Sequence, residues 1–410
     1  MRNLQISHLR LWEMIAMTTP ESFIPDDNLI SWIRDIRRTI HENPELSFQE
    51  YETASFIAAK LDELKIPYRT GIGKTGIIAT LGNSGHSPGI ALRADIDALP
   101  LQELTGLPFA SRKPGIMHAC GHDGHIAILL GAAALLKKIS LAGHVVLLFQ
   151  PAEESEGGAQ HMIHNGALDG VDVIFSGHID RHFRVGEIAI EPGQICANTD
   201  SFIITVTGRG GHAAKPHETV DSIVVASMLV MSIQTLVSRE VNPSFPTVVT
   251  VGKIQGGTAP NVIADQAILE GTIRTTHREV RQKILAGLQR MVKSIGELYL
   301  AETTLQLIEG YPPVINDPFA TKIALRAGEE TVGKEGVKGL PYPSLGGEDF
   351  SYYLEKIPGC FVRFGAMKEE LIDAPAHSPR FDFNEEVLPV AAQFLARVTV
   401  NALKYFPPRG

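Results

Sequence analysis

The chain has 410 residues, 44% hydrophobic and 20% charged, the make-up of an ordinary globular protein long enough for two or three cores. Its 46 acidic residues outweigh 37 basic ones for a formal charge of -9, with no basic cluster to reverse that balance, which argues against a nucleic-acid partner. The three scattered cysteines, Cys120, Cys196 and Cys360, exclude a disulfide framework and fit a reducing cytoplasm, and the strongly apolar run 126–136 is too short to cross a bilayer.

The N-terminus has early basic residues but neither a continuous apolar stretch nor a small-residue cleavage site, so no signal peptide is expected; Met14 and Met17 offer alternative starts. Leu29, Ile30, Ile33, Ile36 and Ile40 have helical spacing over 28–40, and that helix stops near Asn43 and Pro44. A second helix is expected at 50–64. Strands are expected at 76–81, 89–97, 145–150, 171–176 and 187–190, separated by helices such as 126–139. This alternation predicts an α/β fold with a mainly parallel sheet flanked by helices. Gly71-Ile72-Gly73-Lys74-Thr75-Gly76 has the outline of a phosphate loop, but Tyr68 occupies the place of its first glycine, so a nucleotide site is not expected.

At Gln194 the pattern changes. A strand at 201–207, a helix at 221–237, strands at 247–254 and 267–275, a helix at 279–299 and a strand at 304–309 give βαββαβ, the ferredoxin-like order. RNA-binding modules share that order, yet the aromatic strand motif is missing and the charge is wrong. The expected organisation is therefore an α/β domain in two parts, 1–193 and 310–410, with a compact unit inserted at 194–309. Helices at 318–331 and 384–404 and a strand at 360–364 complete the larger domain.

The chemistry concentrates in Met117-His118-Ala119-Cys120-Gly121-His122-Asp123-Gly124-His125, which gathers a thiol, imidazoles and a carboxylate just before an apolar helix. On an extended segment Cys120 and His122 would leave the same side of the backbone and reach one ion or a close pair. Arg93-Ala94-Asp95-Ile96-Asp97, Gln150-Pro151-Ala152-Glu153-Glu154 and Gly177-His178-Ile179-Asp180 end three other strands, and ligands gather beyond such ends in open α/β sheets. Glu153 and Glu154, adjacent on extended backbone, would face opposite sides, one toward an ion and one free to take a proton. Alone, His178 and His377 would be ordinary structural histidines. With Cys120, His122 and Glu154 they make five donors, too many for one tetrahedral site and suited to two ions.

The segments 91–100, 117–125, 149–154, 208–217, 256–265 and 377–385 together resemble the aminoacylase/carboxypeptidase family of metal-dependent amidohydrolases. Within it they are most similar to the hippurate hydrolase and indole-acetyl-amino-acid hydrolase branch. The resemblance covers nearly all the chain from Leu29 onward. It implies a catalytic α/β domain of the co-catalytic metallopeptidase type with an inserted βαββαβ lid that dimerises. It also implies Cys120, His122, Glu154, His178 and His377 as metal ligands, Glu153 as general base, and Asp97 as the residue that orients a ligand. Asp95 stands where other branches place a metal-binding histidine, a loss for which Cys120 compensates. His212 matches a histidine that reaches the partner subunit's site, and Asn261 and Arg274 match positions that hold the substrate carboxylate. His217 and Gly346-Gly347-Glu348-Asp349 are expected to line the site without an assigned role.

The expected cofactors are two divalent ions, zinc, cobalt or nickel by the softness of a thiolate, or manganese by resemblance to relatives in this branch. The expected reaction is hydrolysis of an N-acyl amino acid to a carboxylate and a free amino acid, in a cytoplasmic homodimer or dimer-based oligomer with no membrane partner. Two alternatives keep the same scaffold. One is a dipeptidase, carboxypeptidase or deacetylase of an N-acetylated amino-acid intermediate, and the other is a non-catalytic metal-dependent binding protein.

Overall fold

A computed structural model describes residues 23–82, 88–155, 157–371 and 373–405. The N-terminal features read above, including Met14 and Met17, lie outside these residues.

Two helices open the chain: α1 (Asp27–Glu42) and α2 (Tyr51–Glu63). Asp26 caps α1 by accepting the Leu29 N–H at 2.9 Å, a contact worth about 1 kcal/mol, and Ile33, Ile36 and Ile40 are buried along one face. Next come β1 (Tyr68–Ile72), β2 (Gly76–Gly82), β3 (Gly89–Asp95), α3 (His122–Leu136), β4 (His144–Gln150), α4 (Gly158–His164), β5 (Val173–Asp180) and β6 (Ile188–Ala189). The chain then forms β7 (Asn198–Thr207), α5 (Ser222–Thr235), β8 (Thr247–Gly256), β9 (Gln266–Thr275), α6 (Arg278–Tyr299) and β10 (Glu302–Glu309). It closes with α7 (Pro318–Gly336), β11 (Val337–Lys338), α8 (Ser351–Leu354), β12 (Gly359–Gly365) and α9 (Val387–Tyr405).

Eight strands form one sheet in the order β1-β2-β4-β3-β5-β12-β6-β11. The sheet is mixed. The pairs β4/β3, β3/β5, β5/β12 and β6/β11 are parallel, whereas β1/β2, β2/β4 and β12/β6 are antiparallel. The expectation of a mainly parallel sheet missed β1, because its middle residues are exposed and give no apolar signal. A three-residue connection to β2 leaves only the antiparallel option there. Side chains alternate between two cores. Val145, Leu147 and Phe149 of β4 face α1, α3 and α9, while Val146 and Leu148 face the side that holds Met162 of α4 and Tyr353 of α8. All of α3 is buried, which explains why its sequence is apolar all round.

The segment from β7 to β10 builds a second, wholly antiparallel sheet in the order β8-β9-β7-β10. Phe202, Ile204 and Val206 of β7 point into a core of their own with Val225, Leu229 and Ile233 of α5 and Ile284 and Leu288 of α6. The opposite side of α5 leaves Ile223, Val224, Met228 and Met231 exposed. By length and composition Ser222–Glu240 could also cross a membrane, a property that follows from having apolar residues on both of these faces.

One buried guanidinium ties the ends of the larger unit together. Arg37 of α1 donates to Asp123 of α3 at 2.9 Å, to Asp382 at 2.7 Å and to Glu385 at 3.1 Å. Burial works against a charge there, but these three carboxylates hold the arginine firmly protonated. The clamp locks the Cys120 loop, through Asp123, to the loop that carries His377.

Candidate metal centre

Asp95 ends β3, Gln150 ends β4, His178 lies two residues before the end of β5, and α3 starts at His122, so four segments meet at the carboxyl ends of the central strands. The helix begins earlier than the apolar run indicates. Gly121, at φ 109°, adopts a left-handed conformation that lets the chain turn straight into α3, so Cys120 and His122 do not lie on extended backbone. Gly124 permits the next contact: a Cβ there would sit 2.5 Å from Ile179 Cδ1, so α3 packs against β5 this closely only with glycine.

Glu153 and Glu154 also depart from extended geometry. Ala152 is left-handed at φ 54°, and its N–H donates to buried Glu50 Oε1 at 3.0 Å, which fixes a turn through Pro151-Ala152-Glu153-Glu154. The two carboxylates therefore converge instead of facing opposite sides. Glu154 Oε1 lies 3.8 Å and Glu153 Oε2 4.0 Å from His122 Nε2. His377, left-handed at φ 65°, donates its N–H to Ala119 O at 2.7 Å and brings Nε2 to 3.3 Å from Glu154 Oε1. Cys120 Sγ lies 3.3 Å from His178 Nε2.

Donor atoms of Cys120, His122 and His178 lie within 4.8 Å of one another, as do those of Cys120, Glu154 and His377 and those of His122, Glu153 and Glu154. Cys120 belongs to two of these groups. Among the described residues His122 Nε2 is buried without a hydrogen-bond partner, and buried Glu154 Oε1 has only the 3.3 Å approach of His377 Nε2, a costly state that a bound cation relieves. The donor chemistry, the shared thiol and these two under-satisfied atoms fit a binuclear divalent-metal site.

Asp97 joins two of the donors. Its Oδ1 lies 3.2 Å from His122 Nδ1, and its Oδ2 accepts the Glu154 N–H at 3.0 Å and the Ser47 hydroxyl at 2.8 Å. This keeps the His122 proton on Nδ1 and turns Nε2 to the cluster. Both oxygens of Asp95 are engaged: Oδ1 meets His125 Nδ1 at 2.6 Å, and Oδ2 accepts from Arg93 Nη1 at 2.6 Å.

Burial, then the neighbouring charges of Glu348, Glu154 and Asp349, push the Glu153 carboxyl well above its ordinary range. Burial and the nearby His125 and Arg363 hold His178 well below the usual imidazole range, neutral and able to donate a lone pair. Burial and the Glu154 charge raise the Cys120 thiol. Hydrogen bonds donated by its ring to Cys120 and Glu154 raise His377 to about 10.

Sequence reading left several neighbours without a role. Arg93 donates to Gln150 and Asp349 as well as Asp95, and lies 3.2 Å from Glu348, which with Asp349 faces Glu153. Tyr311 donates its hydroxyl to Glu153 O at 2.7 Å. The polar strand end at Arg93 and the Glu348-Asp349 pair were visible as motifs, whereas nothing local marks Glu50 or Tyr311.

The remaining expected residues sit on the second sheet's unit. His212 is exposed, pairs with Val262 through backbone and accepts the Ala214 N–H on Nδ1 at 3.1 Å. Asn261 is exposed beside it, its carbonyl accepting the Ala213 N–H at 3.1 Å. His217 is exposed and 3.7 Å from Glu218. No hydrogen bond or ion pair among the described residues joins these three to the metal cluster. Arg274 on β9 comes nearer: its Nη1 lies 3.5 Å from where a Cβ on Gly347 would stand. Burial lowers its pKa, opposed by Asp200.

Comparison with known proteins agrees with this geometry. Residues 91–401 match the model of peptidase family M20/M25/M40. The chain is 44% identical over 363 residues to an N-acetyl-L-cysteine deacetylase of Bacillus subtilis, covering 88% of this chain and 85% of that protein. It is 38% identical over 384 residues to the IAA-amino acid hydrolase ILR1-like 4 of Arabidopsis thaliana, covering 92% and 87%. The crystal structure of a dinuclear metal binding peptidase of the M20 family from Bacillus subtilis superposes with a TM-score of 0.79 at 37% identity, covering 93% of this chain and 100% of that one. The chain belongs to peptidase family M20/M25/M40, and its site is that of a metal-dependent amidohydrolase.

Proposed function

We propose that this enzyme hydrolyses the amide bond of N-acyl amino acids, with Cys120, His122, Glu154, His178 and His377 as the ligands of two divalent ions and Glu153 as general base. The observation that carries this reading is the meeting of those five donors, from four separate segments, in overlapping groups, with Glu153 beside His122 and Glu154. Bound ions supply Lewis-acid chemistry here, polarising the amide carbonyl and making water a stronger acid.

Glu153 accepts a proton from water as the water oxygen adds to the amide carbon, and then passes that proton to the amide nitrogen as the C–N bond breaks. Glu348 and Asp349 favour this role by raising the proton affinity of Glu153. Arg274 and Asn261 hold the substrate carboxylate, Arg274 with a planar fork free of ion pairs among the described residues. Asp97 holds His122 in the tautomer that ligation needs.

The segment 194–309 is assigned as an inserted lid of ferredoxin-like order, a reading supported by its separate core. The exposed apolar side of α5 and the open edge of β8 favour a homodimer through this lid. In that dimer His212 reaches the partner copy's site and donates to the developing oxyanion, a contact worth ~3 kcal/mol. Three free cysteines suit a cytoplasmic location.

The acyl group is the open variable, since one relative is described as an N-acetyl-L-cysteine deacetylase and another as an IAA-amino acid hydrolase. Benzoyl-, acetyl- and aminoacyl-linked amino acids assayed at equal concentration test the reading. Turnover of at least one is expected; none, with both ions bound, would make this a binding protein and not an enzyme.

A further inference from the structure

β3 and β5 pair in parallel only as far as Leu92 and Phe175, after which β3 turns away toward Asp97. The backbone of β5 beyond that point needs other partners on this side. Ser176 donates its hydroxyl to Arg93 O at 2.9 Å. The Ile179 N–H goes to His125 Nε2 at 2.9 Å.

That second bond fixes the state of His125. Nε2 accepts, so the ring proton is on Nδ1, where it is donated to Asp95 Oδ1 at 2.6 Å; Asp95 is held in turn by Arg93. The sequence Arg93, Asp95, His125, Ile179 is thus a buried relay in which each hydrogen bond sets the direction of the next. It ends beside His178. The His178 Nδ1 donates to Ile179 O at 2.7 Å, which leaves Nε2 as the lone-pair nitrogen, 3.3 Å from Cys120 Sγ. The two rings meet edge to face at 4.7 Å.

We propose that His125 is a positioning residue of the metal centre: it binds no ion, but pins Ile179 so that His178 presents Nε2 in the correct tautomer and direction. The inference rests on the reading of His178 as a ligand. A rival is open to the same residues, because donor atoms of Asp95, His122 and His125 also lie within 4.8 Å of one another. An ion held there through a ring nitrogen of His125 would displace at least one of the two hydrogen bonds that the ring makes with the Ile179 N–H and with Asp95.

The test uses the full chain stripped of metal and titrated with cobalt(II) or zinc against a chromophoric chelator, with the cobalt-thiolate absorption as a second readout. Wild type takes up two equivalents. His125→Phe, which keeps the ring and loses both nitrogens, is expected to weaken at least one ion by about tenfold or more and to alter the cobalt spectrum. His125→Gln keeps an acceptor for Ile179 and a donor for Asp95, and is expected to stay much closer to wild type than His125→Phe. Should His125→Phe fail to fold, Asp95→Asn serves instead: it lets the His125 proton move to Nε2, against the Ile179 N–H, and is expected to weaken metal binding likewise. Wild-type affinity and spectrum in the folded Phe or Asn variant would overturn the inference while leaving the site's ligands as assigned. Loss of one whole equivalent in His125→Gln, with the other unchanged, would overturn it in favour of ligation by His125. Failure of the wild type to bind any ion would overturn the underlying reading itself.

Discussion

His377 and Glu154 stand far apart in the chain, yet the Nε2 of one lies 3.3 Å from Oε1 of the other. Each is delivered by a strained backbone step, His377 by its own positive φ and Glu154 by that of Ala152 two residues before it. Such conformations cost roughly 1–3 kcal/mol each and persist where surrounding contacts over-determine them. Here the contacts are the Ala119 carbonyl behind His377 and the Glu50 carboxylate behind Ala152.

Glu153→Gln keeps the shape of the general base and removes its proton affinity. Turnover of the best N-acyl substrate is expected to fall by about a hundredfold to ten-thousandfold. Metal content, measured on the same preparation by elemental analysis, should remain that of wild type. Near-normal turnover would remove Glu153 from the chemistry.

Arg274→Ala should act on substrate recognition. Loss of a charge-assisted contact to the substrate carboxylate costs about 1.5–3 kcal/mol, or roughly tenfold to a hundredfold in kcat/KM. Arg274→Lys should recover little of it, since an ammonium lacks the planar fork. A substrate amide lacking the carboxylate should be affected much less by either change, and equal losses on both substrates would contradict the assignment.

Glu50 makes a prediction in pH. Burial, opposed by a hydrogen bond from Thr75, raises its carboxyl from 4.5 to about 7. Because the folded form holds its proton more tightly than the unfolded chain, this group's favourable term is complete below pH 4.5 and is lost as pH rises toward 7. The loss is about 3 kcal/mol by the free energy of such a shift. In denaturant melts of metal-free protein, Glu50→Gln should flatten the fall in stability across that window. An unchanged slope would mean that Glu50 is not the group responsible.

The lid reading predicts that Met231→Glu, on the exposed side of α5, converts a dimer to a monomer in sedimentation equilibrium and lowers turnover along with His212→Ala. If His212 acts across the dimer, mixing the inactive His212→Ala and Glu153→Gln proteins should restore some activity. No recovery on mixing, in a preparation shown to exchange subunits, would count against a role in the partner's site.

Much of this centre was legible in the sequence because its donors sit in short motifs with unmistakable chemistry, as in Cys120-Gly121-His122 or Glu153-Glu154. Most of the element order was also readable, since α3 and the central strands are apolar enough to declare themselves, whereas exposed β1 is not. What could not be read was direction. Gly121 starts α3 four residues before its apolar run, and Ala152 turns two neighbouring carboxylates toward one imidazole, against the alternation of a strand. Glu50, Tyr311 and His125 escaped for a related reason: each acts through a backbone group distant in sequence, at Ala152, Glu153 and Ile179, and no local pattern records such a partner.

The most direct measurement is anomalous diffraction from crystals of the full chain grown with zinc or manganese. The account predicts two peaks a few ångströms apart, enclosed by Cys120, His122, Glu154, His178 and His377, with Glu153 outside both coordination spheres. A single peak, or ions bound by Asp95 and His125 in place of His178, would contradict it.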